Sequence, residues 1–132
     1  MTHFSPREHS IHADVGRLRE AREFAARAAA EFGFDDDGQY QVKLAMSEAV
    51  TNAIVHGSAS SADTIRIVAA GEADALVFEV FDTGRFRPAV RRRDELAESG
   101  RGLEFMRLLM DDVDLRTGLD GTMLRFSKRR AA

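Results

Sequence analysis

Three stretches of this chain place polar or glycine residues where packing alone does not ask for them. The first is Ser47-Glu48-Ala49-Val50-Thr51-Asn52-Ala53-Ile54-Val55-His56-Gly57. At about 100° per helical residue, Glu48, Asn52 and His56 fall at roughly 0°, 40° and 80°, on one narrow edge. Val42, Met46, Ala49, Val50, Ala53 and Ile54 fall on the other side, within roughly 100–240°. The second stretch is Asp82-x-Gly84, directly after the apolar run Leu76-Val77-Phe78-Glu79-Val80-Phe81, and the third is Gly100-x-Gly102-Leu103, ahead of a helical pattern.

Each residue type suits one part of a nucleotide. An Asn side-chain oxygen suits Mg²⁺, a hard cation that prefers oxygen and keeps several waters. A Glu one turn earlier can orient or deprotonate a nucleophile aimed at a γ-phosphate. A carboxylate at the end of a strand can accept from an exocyclic amine such as that of adenine, and a nearby Gly lets a base approach the backbone. A helix opened by glycines turns its N–H groups and the positive end of its dipole toward phosphate. Read singly, each motif has a structural explanation. A Glu/Asn pair at i, i+4 is also a solvated helix edge. Asp-x-Gly is also a turn, in which Asp bonds its own backbone and Gly supplies positive φ. Gly-x-Gly is also a flexible entry to a helix. In this order on one chain, the three describe a nucleotide site.

The elements that must hold these residues follow from periodicity. Glu8 to His12 alternates weakly, as a short strand would. Asp14 is a good N-cap for a first helix, Val15 to Phe32, with Val15, Leu18, Ala21, Ala25, Ala28, Ala29 and Phe32 at helical spacing and Gly33 as its stop. Asp35-Asp36-Asp37-Gly38 reads as a turn or as the cap of a second helix from about Gln39 to His56. The period then changes to 2: strands at Thr64–Ala70 and Ala75–Phe81, joined by the loop Gly71-Glu72-Ala73-Asp74. Residues 86–99 read as a long loop, with a helical turn near Asp94–Ala97. A third helix, Leu103–Met110, precedes a hairpin of Val113–Thr117 and Thr122–Ser127 about Gly118-Leu119-Asp120-Gly121. Strands in hairpins and helices in blocks predict an α+β fold, a two-layer sandwich of a mostly antiparallel mixed sheet with helices on one face.

Composition narrows the rest. At 132 residues the chain reads as a single domain, 1–132, large enough for a real core. It has no cysteine, so disulfides and thiolate metal sites are excluded and a cytoplasmic setting is the default. No apolar run is long enough to span a bilayer, so no membrane is expected. The net charge of −3 argues against direct nucleic-acid binding. Of 19 basic residues only Lys43 and Lys128 are lysines, and Arg85, Arg87, Arg91, Arg92, Arg93 and Arg101 crowd one stretch. Such a run fits a solvated loop, or a loop near phosphates, whose oxygens the guanidinium fork matches.

The three motifs, in order and rough spacing, resemble the N, G1 and G2 boxes of the Bergerat-fold (GHKL) ATPases, which include gyrase, MutL and the histidine kinases. Within that superfamily the length and local wording resemble the anti-sigma-factor serine kinases of the SpoIIAB/RsbW type. The words are Ser47 to His56, Val80-Phe81-Asp82-Thr83-Gly84, and Gly100-Arg101-Gly102-Leu103 followed by Met106 and Leu109-Met110-Asp111-Asp112-Val113, with Gly121-Thr122 heading the last strand. The likeness covers about residues 8–128. It implies roles at the matched positions: Asn52 on Mg²⁺, Glu48 as general base toward a partner's serine hydroxyl, Asp82 on the adenine amine with Gly84 beside the ring. It places Gly100, Arg101, Gly102 and Leu103 along the phosphates, and Thr122 in support of adenine, directly or through water. His56 has no assigned role. Two positions depart from the pattern. Phe86 stands where the wider superfamily often has a second Gly, and Glu98 stands where some members have an arginine that reaches the γ-phosphate, a task that would fall to Arg101 or to Arg91, Arg92 or Arg93.

The resemblance implies an ATP-dependent (ATP/ADP, Mg²⁺) protein serine kinase that sequesters a sigma factor, phosphorylates an anti-anti-sigma protein of the STAS fold, and forms a homodimer. The alternative is a nucleotide-dependent partner-binding module with little or no kinase activity, free-standing or cut from a larger regulator.

Overall fold

The computed structural model describes residues 4–58, 60–82, 102–118 and 121–130. Five strands build one sheet: β1 (Arg7–His12), β2 (Thr64–Glu72), β3 (Ala75–Asp82), β4 (Asp112–Gly118) and β5 (Gly121–Arg129). Their order is β1-β2-β3-β5-β4, and every ladder between them is antiparallel. Among the described residues three α-helices accompany the sheet: α1 (Leu18–Phe32), α2 (Asp36–Asn52) and α3, which spans 102–109. The α+β sandwich expected from the hairpins and helix blocks is the architecture observed. No helix among the described residues is long and apolar enough to cross a membrane.

Strand alternation sends one set of side chains inward. Ile65, Ile67 and Ala69 of β2, Leu76, Phe78 and Val80 of β3, and Leu124 and Phe126 of β5 are buried in a single core. Phe78 and Phe126 are direct cross-strand partners, with ring centroids 5.2 Å apart and planes 23° from parallel. The opposite sheet face is polar and half-open: Arg66 lies 4.2 Å over the Phe81 ring and pairs with Glu8 at 3.2 Å.

α1 turns Ala21, Ala25, Ala28, Ala29 and Phe32 inward, a spacing of one helical face. These small side chains let it lie against α2, which contributes Val42, Ala45, Met46, Ala49 and Val50. Asp14 caps a 3₁₀ turn at Val15–Arg17 before α1 proper begins, and Gly33 ends the helix at φ 108° with its N–H shared between the Ala29 and Ala30 carbonyls. Across to the sheet, His9 of β1 and Glu20 of α1 are hydrogen-bonded at 2.7 Å.

Among the boundaries that differ from the sequence reading, three have a local physical cause. α2 begins at Asp36, not Gln39, because the Asp35 carboxylate accepts from Gly38 N at 2.8 Å and places Asp36 and Asp37 in the first turn, where the dipole favours them. β2 continues through Gly71 and Glu72, because the hairpin needs only Ala73 and Asp74, with Ala73 at φ 56°. The α-helical part of α2 stops at Asn52, and Ala53–Gly57 form a π-helical turn.

Candidate nucleotide site

The π-helical turn sits where the sequence places its polar edge. Ala53 N–H is shared between the Ala49 and Val50 carbonyls, and five residues later the Ser58 hydroxyl donates to the Ala53 carbonyl at 2.9 Å. The wider turn packs against β3 and β5, so the end of the helix is joined to the strands that carry the other motifs. Inserted π turns occur often at functional sites. Here the turn carries Val55 and His56 to the wall that Glu48 and Asn52 occupy.

A cavity opens along that wall, lined by Glu48, Thr51, Asn52, Val55, His56, Gly102, Leu103 and Met106. The structure thus brings together four residues singled out in sequence: Glu48, Asn52, Gly102 and Leu103. The start of α3 faces α2 closely, since a Cβ on Gly102 would stand 3.3 Å from Glu48 Oε2. The amide end of α3 and the Glu48 carboxylate therefore border the same space. An anion held there would meet N–H groups on one side and the Asn52 amide on the other. Among the described residues no group of three or more His, Asp or Glu could hold a metal. The Asn52 side-chain oxygen is of the kind that a hard cation such as Mg²⁺ takes, alongside phosphate oxygens and water.

Asp82 and Thr122 define the second region. Both lie on the inward face of their strands, Asp82 two residues beyond Val80 and Thr122 two before Leu124, where the other buried residues are apolar. Asp82 is 5% exposed and Thr122 8%. Thr122 N donates to Asp82 Oδ1 at 3.2 Å. Among the described residues the Thr122 hydroxyl oxygen, which is buried, finds no hydrogen-bond partner. A buried hydroxyl without a partner costs about 1–3 kcal/mol, so its retention next to a buried carboxylate fits a site that a polar ligand completes. A concavity lined by Phe81, Asp82, Arg116, Thr117, Gly118, Gly121, Thr122 and Met123 opens at this end of the sheet.

Gly84, Gly100 and Arg101 lie outside the described residues, as do Phe86, Arg91, Arg92, Arg93, Glu98 and the helical turn expected near 94–97. Sequence reasoning missed Thr51, Val55 and Met106. Thr51 and Val55 stand three and seven residues after Glu48, on the same helical face, so the spacing that selected Asn52 also marks them. Met106 read as core, and it is core, 1% exposed, while also flooring the cavity.

Comparisons with known proteins agree with this geometry. The profile of the histidine kinase-like ATPase domain matches residues 11–128. The anti-sigma F factor of Clostridium acetobutylicum is 33% identical over 110 residues, covering 74% of this chain and 77% of its own length. That of Thermoanaerobacter sp. strain X514 is 31% identical over 117 residues, covering 82% of each. Among solved structures, the RsbU and RsbW domains of a Mycobacterium tuberculosis protein superpose with a TM-score of 0.70 at 23% identity. That match covers 97% of this chain and 34% of the other, so this chain spans about a third of that structure. At such identity the likeness shows the fold. The described parts of the three motifs on one sheet and two helix ends, a family profile over nearly the whole chain and relatives above 30% identity converge: the chain belongs to the histidine kinase-like ATPase domain family, on its anti-sigma-factor branch, and it is a nucleotide-binding domain.

Proposed function

We propose that this protein is an anti-sigma factor that is also a protein serine kinase, using ATP to phosphorylate an anti-anti-sigma partner of the STAS fold. The observation that carries this reading is the shared cavity of Glu48, Asn52 and the start of α3. A carboxylate, a neutral oxygen ligand and a helix N-terminus are what transfer of a γ-phosphoryl group to a hydroxyl needs. The names of the relatives point to a sigma factor as one partner, and the STAS-fold substrate follows from the resemblance of the motifs.

In this reading Asp82 accepts from the exocyclic amine of adenine, with Gly84 beside the ring, and the Thr122 hydroxyl gains a partner. Gly100, Arg101, Gly102 and Leu103 run along the phosphates, and the amides at the start of α3 face their charge. Asn52 would hold Mg²⁺, which when bound neutralises charge on the phosphate oxygens. Glu48 takes the proton of the partner's serine hydroxyl as that oxygen bonds to the γ-phosphorus. The bond from the γ-phosphorus to the bridging oxygen breaks, and ADP leaves. Phosphorylation removes the partner as a competitor and leaves the sigma factor held, a coupling of one site's occupancy to a second affinity. A homodimer in the cytoplasm completes the proposal.

The test is incubation of the purified protein with Mg-ATP and its STAS partner. Phosphoserine should form on the partner. Glu48→Gln should slow transfer by about 10²- to 10⁴-fold, the usual contribution of a general base, with ATP affinity kept within a few-fold. Tight ATP binding with no phosphoserine in the native protein contradicts the kinase reading and leaves a nucleotide-dependent binding module, the outcome that Glu98 at the γ-phosphate arginine position favours.

A further inference from the structure

The hairpin between β4 and β5 has a glycine at each shoulder, Gly118 and Gly121, directly opposite each other in register. By sequence the two are equivalent turn residues. Their surroundings are not equivalent. A Cβ on Gly118 would meet no described atom within 4 Å. A Cβ on Gly121 would stand 2.5 Å from the Asp82 backbone oxygen and 3.1 Å from Asp82 Oδ1. The nearest atom is backbone, which cannot swing aside as a side-chain tip can. Gly121 also has φ 130°, where L side chains are strained.

The neighbouring hydrogen bond gives this clearance a purpose. The β3–β5 register ends at Phe81↔Met123. One residue on, Thr122 N–H goes to the Asp82 carboxylate. That hydrogen bond helps hold the direction of the carboxylate and depends on how closely the start of β5 approaches Asp82, and Gly121 sits where a side chain would meet Asp82. A carboxylate only accepts. It attracts the exocyclic amine of adenine and repels the carbonyl oxygen that guanine carries at the corresponding position.

We propose that Gly121 is a positioning residue for base selection: its missing side chain lets β5 close on Asp82, so that the Thr122 amide fixes the Asp82 carboxylate for adenine. The inference rests on the reading of Asp82 as the adenine acceptor.

The experiment measures Kd for Mg-ATP and Mg-GTP in the native protein and in Gly33→Ala, Gly121→Ala and Asp82→Ala. Gly33→Ala, which puts a side chain on a left-handed glycine at the end of α1 and away from the site, should keep the native ATP-over-GTP preference. Gly121→Ala should lose at least about tenfold of that preference, beyond any general weakening, since one misplaced hydrogen bond to a charged group is worth about that much. A purely structural role would weaken both nucleotides alike and leave the ratio unchanged, which overturns the proposal. If Asp82→Ala also leaves the preference unchanged, the reading of Asp82 itself fails. If Asp82→Ala abolishes it while Gly121→Ala behaves as Gly33→Ala, only the role of Gly121 fails. Should Gly121→Ala not fold, a semisynthetic protein with D-alanine at position 121 decides. It accepts the positive φ and carries its methyl on the opposite side of Cα, so the native preference should return, and loss of preference in that folded protein contradicts the proposal.

Discussion

The two ends of the proposed nucleotide site are built by different physics. At the Asp82–Thr122 end, polar side chains continue the buried faces of two central strands. Their positions are set by register, and both are nearly excluded from solvent. At the Glu48–Asn52 end, the polar side chains are half-buried and hang from the terminus of a helix that changes from α to π after Asn52. In the proposed reading, recognition of the base would be part of the fold's core, whereas the reacting end would be mounted on a helix terminus and on the start of α3. Substitutions at the first end should register in stability as well as affinity. Substitutions at the second should register in chemistry and cation dependence, with little effect on folding.

Asn52→Ala should give the largest effect of this contrast. ATP affinity measured with Mg²⁺ should fall about 10- to 100-fold, the range seen for perturbed metal sites, while affinity in excess chelator stays close to native and the thermal midpoint barely moves. Unchanged affinity in both conditions would return Asn52 to the solvated helix edge that its spacing also allows. Thr122→Val sharpens the comparison from the other end, because its two effects have opposite signs. Without nucleotide, removing a buried hydroxyl that lacks a partner should leave stability unchanged or raise it by up to about 1 kcal/mol, as read by denaturant unfolding. ATP affinity should nevertheless drop several-fold. A destabilised apo protein with native affinity would show that the hydroxyl serves the fold instead.

The smallest effect lies outside both ends. The hydrogen bond from His9 holds the Glu20 carboxyl below the ordinary carboxylate range, with the charges of His9 and Arg17 adding to it. A lowered folded-state pKa contributes stability above the unfolded value and loses it as pH falls through the folded one. The stability difference between the native protein and Glu20→Gln should therefore be fully present near neutral pH and shrink on acidification. ATP affinity should be the same in both, because the pair ties β1 to α1 and touches neither end of the site. The pH series of unfolding midpoints checks the first expectation, and a single titration checks the second.

Much of this was legible in the sequence because it is periodic or local. The hairpins, the inward face of α1 and the order of the three motifs all read directly from spacing. What escaped has identifiable causes. Asp35-Asp36-Asp37-Gly38 satisfies the rules for a turn and for a helix cap alike, and only the bond from Gly38 N to Asp35 decides between them. Ala73 adopts φ 56° without the glycine that would announce it, which lengthened the expected loop at the expense of β2. No residue within Ala53–His56 signals a π turn, since the turn depends on packing against β3 and β5 and on the Ser58 hydroxyl. The burial of Asp82 and Thr122 follows from a two-residue alternation that the sequence displayed, but their direct hydrogen bond and the unequal roles of Gly118 and Gly121 depend on tertiary contact.

The central claim is that both ends belong to one nucleotide site. Amide chemical shifts followed while Mg-ATP is added to the native protein test it most directly. Thr122 and Gly102 should shift together, with one common midpoint and one exchange rate, because a single molecule spans from the strand ends to the start of α3. Movement at only one end, or two distinct midpoints, would contradict the account.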